Sequence, residues 1–306
     1  MKIHAICLVK DEADIIAETL REAQRWCDHI YIYDNGSTDG TWEQVQLISK
    51  DSNGQIIIFK RSDAPFHDKL RGEVFEYYRG NSTIGDWWSR LDADEMYIDD
   101  PREFLSGVHD EYDSVYSSSF QYYFTDKDWE IYRQNPAAYA EGVSVGEKCR
   151  YYLNNWSELR FIRHKRATLW DRHVAWPYKL AKAYPRRIRL KHYQYRSPDQ
   201  IQKRVNGRVR TGFAHERTSN WRQVITASFK DRKYYPRTPH SNEEMNWTDR
   251  TVDSSFLDYD NHDGKWIARE DLLPPLPYSV KRQILPAYCF KLKYHLDEFL
   301  KGWNSR

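Results

Sequence analysis

The apolar residues Trp87, Trp88 and Leu91 lead directly into three carboxylates, Asp92, Asp94 and Glu95. A buried strand with an acidic tip is the simplest structure for this pattern, and ligands of α/β sheets bind beyond the carboxyl ends of the strands. Because alternate residues of an extended tip face the same way, Asp92 and Asp94 are expected on one side. Two converging carboxylates repel each other unless a cation lies between them, and such hard ligands suit Mg²⁺ or Mn²⁺. The alternative interpretation is a solvated acidic turn without a ligand.

A second polar stretch, residues 34–41 with the sequence DNGSTDGT, follows an apolar run. Its Gly, Asn and Ser residues permit tight turns and expose backbone N–H groups. Asp34 ends the apolar run with a carboxylate that can accept hydrogen bonds from a nucleobase or ribose. The alternative is an ordinary strand-to-helix loop in which Ser37 or Asp39 caps the next helix. The stretch matches neither the GxGxxG dinucleotide pattern nor the GxxxxGK[ST] phosphate loop.

Predicted strands and helices alternate through the segment that contains both stretches. Apolar runs predict strands over 3–9, 30–33 and 56–59, and the helix after the first strand is expected to begin with Asp11 as its N-cap. This alternation indicates a parallel sheet with βαβ crossovers. Beyond the acidic tip, strands are predicted over 113–124 and 159–163 and a helix over 199–210, whereas 125–160 shows no clear period.

Composition excludes some classes of protein. The chain has 306 residues and a formal charge of +2, which is not typical of a nucleic-acid-binding protein. Four cysteines without CxxC spacing indicate neither a zinc site nor a disulfide framework. No stretch approaches the roughly 20 apolar residues of a membrane span. The aromatic content of 15% suits carbohydrate and nucleotide stacking, and the expected location is the cytoplasm.

Three motifs in this order resemble the family 2 glycosyltransferases, which have the GT-A fold. They are Val9-Lys10-Asp11-Glu12, the 34–41 stretch and Leu91-Asp92-Ala93-Asp94-Glu95. The resemblance extends over residues 1–125 and is specific as a set, although each motif alone is weak. It implies an α/β, Rossmann-like fold with a mostly parallel central sheet flanked by helices, followed here by a C-terminal helical extension.

The resemblance also implies roles for individual residues. Val9 and its neighbours, including Glu12, would line the nucleotide pocket. Asp34 would bind the nucleobase or ribose. Asp92 would lie on the ribose–diphosphate side, and Asp94 would ligate a divalent Mn²⁺ or Mg²⁺ ion.

Three basic residues are further candidates. Arg71 falls where the family often places a cation near the nucleotide, although a solvated helix face is the alternative. His192 begins a His-Tyr-x-x-x-Ser segment seen in a subset of these enzymes, and it would complete the metal site or contact the diphosphate. The alternative interpretation of His192 is a histidine with a structural role only. Arg196 belongs to a basic stretch over 186–237, which suits a diphosphate, a phosphorylated acceptor or an anionic membrane surface.

A general base is harder to place, because the segment over 170–176 departs from the family pattern. Asp171 is its one carboxylate and is the predicted base. Glu158 and Glu147 are the next candidates.

The domain prediction assigns residues 1–215 to the catalytic domain, with a donor half over 1–125 and an acceptor half over 126–215. Residues 216–306 form the extension, which is expected to contain an irregular segment and a terminal helix over 280–303. This helix either packs on the catalytic domain or lies on a membrane surface.

The predicted function is transfer of a sugar from a nucleotide-diphosphate donor, with UDP preferred by prevalence, to a hydroxyl of a glycan, a lipid-linked acceptor or a protein. Family resemblance implies inversion at the anomeric carbon and a place in bacterial-type glycan or polysaccharide synthesis, in the cytoplasm or at the inner face of the membrane. A nucleotidyltransferase is an alternative, but it would need a glycine-rich loop over 9–12. A nucleic-acid-binding protein is disfavoured because no nucleic-acid motif is present. A non-catalytic sugar-nucleotide-binding protein is the third alternative.

Overall fold

A ten-stranded mixed β-sheet with flanking helices organises the described part of the chain. The computed structural model describes residues 1–63, 66–166, 168–170, 176, 177, 180, 182–210 and 246–276, with backbone alone at 207–210 and 249. The strands are β1 (Ile3–Val9), β2 (His29–Asp34), β3 (Ile56–Arg61), β4 (Trp87–Asp92), β5 (Glu95–Tyr97), β6 (Ser114–Tyr123), β7 (Tyr151–Trp156), β8 (Leu159–Arg163), β9 (Ile188–His192) and β10 (Asp258–Tyr259). The α-helices are α1 (Ile16–Ala23), α2 (Thr41–Asp51), α3 (Leu70–Tyr78), α4 (Pro101–Ser106), α5 (Asp126–Gln134), α6 (Val145–Lys148) and α7 (Pro198–Arg210).

The first half of the sheet is parallel. Its strands lie side by side in the order β3, β2, β1 and β4. β1 is buried along its whole length, and successive side chains enter two different apolar clusters. Cys7 belongs to the cluster that contains Leu20 of α1, whereas Ile6 belongs to the cluster that contains Val74 of α3. Burial on both faces explains the unbroken apolar run of this strand, and the predicted strands of this half are confirmed.

The second half of the sheet is largely antiparallel. β8 pairs with β4 and β6, and the sheet continues from β6 through β7 to β10. β9 is parallel to β6 and antiparallel to β5, the strand that follows the acidic tip. The predicted α/β sheet with flanking helices is confirmed, with the consecutive run of parallel strands confined to its first half. A mixed sheet therefore carries the acidic tip at the junction of its two halves.

The segment over 125–160, which has no clear sequence period, contains α5, α6 and β7. A capping box begins α5: the Asp128 N–H donates to Thr125 Oγ1 over 3.2 Å, and the Thr125 N–H donates to Asp128 Oδ2 over 2.8 Å. Polar side chains therefore fix the start of this helix, rather than an apolar face.

The prediction that Asp11 caps the first helix is wrong. α1 begins at Ile16, and its N-cap residue, Ile15, makes no side-chain capping bond. Asp11 adopts a left-handed backbone conformation (φ +53°), and its Oδ1 accepts a hydrogen bond from the Thr38 N–H over 2.7 Å. This carboxylate therefore joins the loop after β1 to the loop after β2.

Residues 246–276, in the predicted extension, pack against the second half of the sheet. β10 pairs with β7, Val252 bridges to Thr125, and the Tyr122 hydroxyl donates to Asp260 Oδ2 over 2.5 Å. The predicted helix over 280–303 lies outside the described residues. No helix in the described part of the chain is long and apolar enough to cross a lipid bilayer.

Candidate active site

The loop after β2 encloses the Asp34 carboxylate, which is fully buried. Asp34 Oδ1 accepts hydrogen bonds from the N–H groups of Gly36 and Ser37 over 3.0 and 2.9 Å, and Arg61 Nε lies 3.5 Å away. Asp34 Oδ2 is also buried but has no hydrogen-bond partner among the described residues. A buried acceptor without a partner is costly, so this oxygen is suited to a ligand that donates to it.

Helix α2 starts at the end of this loop, and neither Ser37 nor Asp39, the residues of the alternative interpretation, is its N-cap residue. Its N-cap residue is Gly40, and Asp39 instead accepts a hydrogen bond from the Thr41 N–H over 3.1 Å. The Thr41 hydroxyl accepts a hydrogen bond from the Glu12 N–H over 2.8 Å. Val9 is buried in the core, and its carbonyl accepts from the Asn35 N–H over 2.8 Å. Hydrogen bonds therefore join the Val9–Glu12 segment directly to the loop that contains Asp34.

Asp92, at the end of β4, is surrounded by guanidinium groups. Arg71 of α3 donates to its Oδ1, Arg160 Nη1 donates to Oδ2 over 3.1 Å, and Arg90 Nε lies 3.4 Å from Oδ1. Arg71 is buried and also donates to Asp68 over 2.8 Å, so the alternative of a solvated Arg71 is wrong. Desolvation opposes ionisation of Asp92, but the charges of Arg90, Arg160 and Arg71 outweigh it and lower its pKa far below the ordinary value.

Asp94 lies in the turn between β4 and β5, opposite the end of β9. Its Oδ1 lies 3.3 Å from His192 Nε2, and its Oδ2 accepts a hydrogen bond from Arg204 Nη1 over 3.1 Å. Burial would lower the pKa of His192, but the neighbouring Asp94 carboxylate raises it overall. Desolvation likewise opposes ionisation of Asp94, and the charge and hydrogen bond of His192 lower its pKa well below the ordinary value.

Arg196 is fully buried, and its guanidinium is engaged with protein groups. It donates to both oxygens of Asp14 over 2.8 and 2.7 Å, to the Tyr193 carbonyl over 2.7 Å, and to Glu12. The predicted contact of Arg196 with a diphosphate therefore stays a prediction that this arrangement does not favour. In the described structure Arg196 fixes the carboxylates of the loop after β1.

Glu95 completes a set of four carboxylates that we call the acidic cluster: Glu12, Asp92, Asp94 and Glu95. The Glu95 side chain is fully buried, and Arg160 Nη2 donates to its Oε1. Each member of the acidic cluster thus contacts at least one arginine. The charges of the acidic cluster are therefore compensated by arginines within the described structure.

Asp94 and His192 have the chemistry to hold a divalent cation. Two ligands at about 2.1 Å from one ion are at most about 4.2 Å apart, so the 3.3 Å separation of Asp94 Oδ1 and His192 Nε2 fits. No group of three or more His, Cys, Asp or Glu side chains within the described ranges is arranged for a metal ion. Two protein groups are nevertheless a sufficient set for an ion that is also held by substrate phosphates.

A family model for "Glycosyl transferase family 2" matches residues 5–181. The chain belongs to glycosyl transferase family 2. Its mixed sheet with flanking helices is the GT-A fold implied by the sequence resemblance. No curated protein matches the sequence.

Three solved structures are similar to this family 2 chain at low identity. TarS of S. aureus has 17% sequence identity to this chain and a TM-score of 0.30, and the match covers 39% of this chain and 21% of TarS. A TarS fragment, residues 1–349, has 17% identity and a TM-score of 0.26, and the match covers 41% of this chain and 36% of the fragment. The mannosyltransferase PcManGT from Pyrobaculum calidifontis, in complex with GDP-Man and Mn²⁺, has 12% sequence identity and a TM-score of 0.35. This match covers 69% of this chain and 62% of the mannosyltransferase. This chain therefore spans less than two thirds of the length of each of these structures.

Sequence reasoning on this family 2 member missed three arginines of the site. Arg90 had a signal, because a residue two positions before Asp92 on a strand faces the same side. Arg160 reaches Asp92 from β8, and Arg204 reaches Asp94 from α7, over separations of 68 and 110 residues. No local sequence pattern predicts contacts between residues so far apart in the chain.

The predicted base stays untested. Asp171 lies outside the described residues. Of the other candidates, Glu147 is exposed on α6, whereas Glu158 has a partly buried side chain with its Oε2 3.3 Å from Arg160 Nη2 and 3.6 Å from Arg90 Nη1.

Proposed function

We propose that this family 2 glycosyltransferase moves a sugar from a nucleotide-diphosphate donor to a hydroxyl acceptor, with inversion at the anomeric carbon. One observation carries the proposal: Asp34 lies at the carboxyl end of β2 and Asp94 just beyond the carboxyl end of β4. Both strands run parallel to β1, which lies between them, so the two residues lie at the edge where α/β sheets bind ligands. Asp34 offers a buried acceptor atom, and Asp94 faces His192 at a separation that suits an ion. We propose that they bind the two ends of a nucleotide diphosphate.

The proposed roles follow this arrangement. Asp34 accepts a hydrogen bond from the nucleobase or ribose, and the Val9–Glu12 segment borders the same pocket. Asp92, oriented by Arg71, lies on the ribose–diphosphate side. Asp94 and His192 would hold Mn²⁺ or Mg²⁺, and the bound ion would neutralise the charge that develops on the leaving diphosphate.

A base must remove the proton of the acceptor hydroxyl as its oxygen attacks the anomeric carbon. We assign this role to Asp171. Glu158 is the second candidate for the base, because its contacts with Arg160 and Arg90 keep its charged carboxylate among the arginines of the site.

The donor is proposed as a UDP-sugar, and the acceptor as a hydroxyl of a glycan, a lipid-linked molecule or a protein. We place the reaction in glycan or polysaccharide synthesis in the cytoplasm, with the predicted segment over 280–303 as the membrane contact if the acceptor is lipid-linked. Co-sedimentation with anionic liposomes at low salt tests the membrane contact, and no binding would rule it out.

The experiment for the function is hydrolysis of a panel of UDP- and GDP-sugars by the full chain with Mn²⁺, in which water replaces the acceptor hydroxyl and release of nucleoside diphosphate is the readout. We expect one donor to be turned over by wild type and by Asp51→Asn, whose carboxylate is exposed at the far end of α2. Asp34→Asn should lose about 10-fold or more in affinity for that donor, since hydrogen bonds to charged groups contribute about 1.5–3 kcal/mol. Donor binding without any release would instead favour the non-catalytic alternative.

A further inference from the structure

Arg204 of α7 bridges two carboxylates that come from different segments of the site. Its Nη1 lies 3.1 Å from Asp94 Oδ2 and 3.3 Å from Glu12 Oε1. A single guanidinium nitrogen therefore lies between Glu12 and Asp94, beside the pair formed by Asp94 and His192.

We propose that Arg204 makes divalent-cation binding conditional on the nucleotide diphosphate. In the free protein its guanidinium neutralises Glu12 and Asp94. When the diphosphate arrives with its cation, Arg204 leaves Asp94 and donates to the phosphate oxygens. The inference rests on the proposed function and adds a residue that binds the diphosphate and couples its binding to that of the cation.

Arg204 is suited to this exchange and Arg196 is not. Arg196 is fully buried, with its guanidinium held by Asp14, Glu12 and a backbone carbonyl. The Arg204 side chain is 24% exposed, and its Nε has no hydrogen-bond partner among the described residues. The Nε atom is buried, so the exposed part of the guanidinium is the part that can reach a new acceptor such as phosphate.

The helix itself is anchored, so the exchange needs only the side chain to move. Ile201 and Val205 of α7 belong to an apolar cluster with Phe124, and Gln202 Oε1 accepts a hydrogen bond from the Trp247 N–H over 3.0 Å. Arg204 projects from this fixed helix toward Asp94.

Charge gives the direction of the coupling. Since every carboxylate of the acidic cluster already contacts an arginine, a divalent cation alone would add positive charge to a compensated site. A nucleoside diphosphate brings the negative charge that offsets both the cation and the released guanidinium. Cation and diphosphate are therefore expected to bind together.

The test is Mn²⁺ binding to the full chain, measured from the electron paramagnetic resonance signal of free Mn²⁺, alone and with saturating UDP or GDP. The variants are Arg204→Gln and Arg204→Lys, with Lys203→Gln as control because it removes the same charge from an exposed neighbour on the same helix. In wild type we expect weak Mn²⁺ binding alone and at least tenfold tighter binding with one nucleotide. Arg204→Gln should bind Mn²⁺ alone about 10-fold more tightly than wild type and lose most of the enhancement.

Arg204→Lys keeps a cation and should lie between wild type and Arg204→Gln, whereas Lys203→Gln should match wild type. Unchanged or weaker Mn²⁺ binding by Arg204→Gln, with wild type still binding Mn²⁺ and nucleotide together, would overturn the inference and leave the proposed function intact. Equal Mn²⁺ affinity of wild type with and without nucleotide would also overturn it. No Mn²⁺ binding to wild type under any condition would contradict both.

Discussion

Arg160 donates through Nη1 to Asp92 Oδ2 over 3.1 Å, while its other terminal nitrogen donates to Glu95. Arg160 is buried, and Glu95 is completely inaccessible to solvent. One guanidinium on β8 therefore neutralises both the end of β4 and the start of β5, on the two sides of the acidic tip. Its removal would leave the buried Glu95 without an arginine partner among the described residues, whereas Asp92 would keep its contacts with Arg71 and Arg90.

Arg160→Met should reduce the free energy of unfolding by about 3–5 kcal/mol, because breaking a buried ion pair leaves a buried charge. The free energy of unfolding of Arg160→Lys should lie between those of wild type and Arg160→Met, since an ammonium lacks the forked guanidinium that reaches both carboxylates. Urea denaturation measures both, with Arg189→Met as control. Arg189 pairs with Asp99 at the surface, where such a pair contributes about 0–1 kcal/mol. Equal losses for Arg160→Met and the control would contradict the assignment.

Gly36→Ala should destabilise the loop that holds Asp34. Gly36 has a φ of +75°, and an added Cβ would lie 3.2 Å from the Asp63 Cα. The backbone conformation alone costs an alanine about 1–2 kcal/mol. Gly80→Ala is the matched control, because its Cβ would meet no atom within 4 Å and no left-handed φ is involved. Thermal unfolding should separate the two variants, and a Gly36→Ala protein as stable as Gly80→Ala would show that the loop adopts another conformation.

Glu22 gives a pH-dependent prediction away from the site. Burial raises its pKa to about 7, and Trp26 Nε1 donates to its Oε2 over 3.0 Å. An acid whose pKa is higher in the folded state than in the unfolded chain contributes stability below its unfolded pKa of about 4.3, and this contribution is lost as the pH rises through 7. Glu22→Gln should thus be about 1–3 kcal/mol more stable than wild type at pH 8.

At pH 4 the two proteins should have nearly equal free energies of unfolding, because Glu22 is then neutral in both states. Glu76→Gln, at an exposed position on α3, is the control and should show a small difference at both pH values. Denaturation curves at pH 4 and 8 provide the comparison. A gain for Glu22→Gln that is the same at both values would rule out the buried-carboxyl explanation.

Asp171→Asn should leave donor binding unchanged and slow sugar transfer by roughly 10²-fold or more, the range for loss of acid–base catalysis. Transfer rate and donor affinity are measured on the same preparation, and Glu158→Gln is the comparison. If Asp171→Asn turns over at the wild-type rate and Glu158→Gln does not, the base is Glu158.

The sequence predicts the first half of the fold better than the second for a physical reason. Strands such as β1 are buried on both faces, so their residues must be apolar and the pattern is visible locally. By contrast, α5 is fixed by a capping box and by Asp128, which is buried through its bonds to Thr125 and Tyr139. Trp129 and Tyr132 of α5 pack against an apolar cluster, but the start of the helix depends on polar contacts that a search for apolar periodicity does not detect.

The site follows the same rule. The positions of Asp34, Asp92 and Asp94 at or just beyond the ends of strands are predictable, because the apolar residues before them mark the strands. Arg196 belongs to a basic stretch that suggested a phosphate contact, yet it is engaged by Asp14, a residue 182 positions away. Counting charges along the chain cannot identify which carboxylates will fold against them.

Calorimetry of the donor identified by the nucleotide-sugar panel, titrated into wild type and Asp94→Asn with Mn²⁺ and again with EDTA, tests the central claim most directly. Asp94→Asn keeps the shape of the side chain and removes the charge proposed to hold the ion. Because Asp94 is buried against His192 and Arg204, circular dichroism must first show that the variant is folded. His192→Ala should reduce the Mn²⁺-dependent affinity less than Asp94→Asn. The account predicts that wild type binds the donor at least tenfold more tightly with Mn²⁺ than with EDTA and that Asp94→Asn loses this difference. Equal donor affinity for wild type in Mn²⁺ and in EDTA would contradict it.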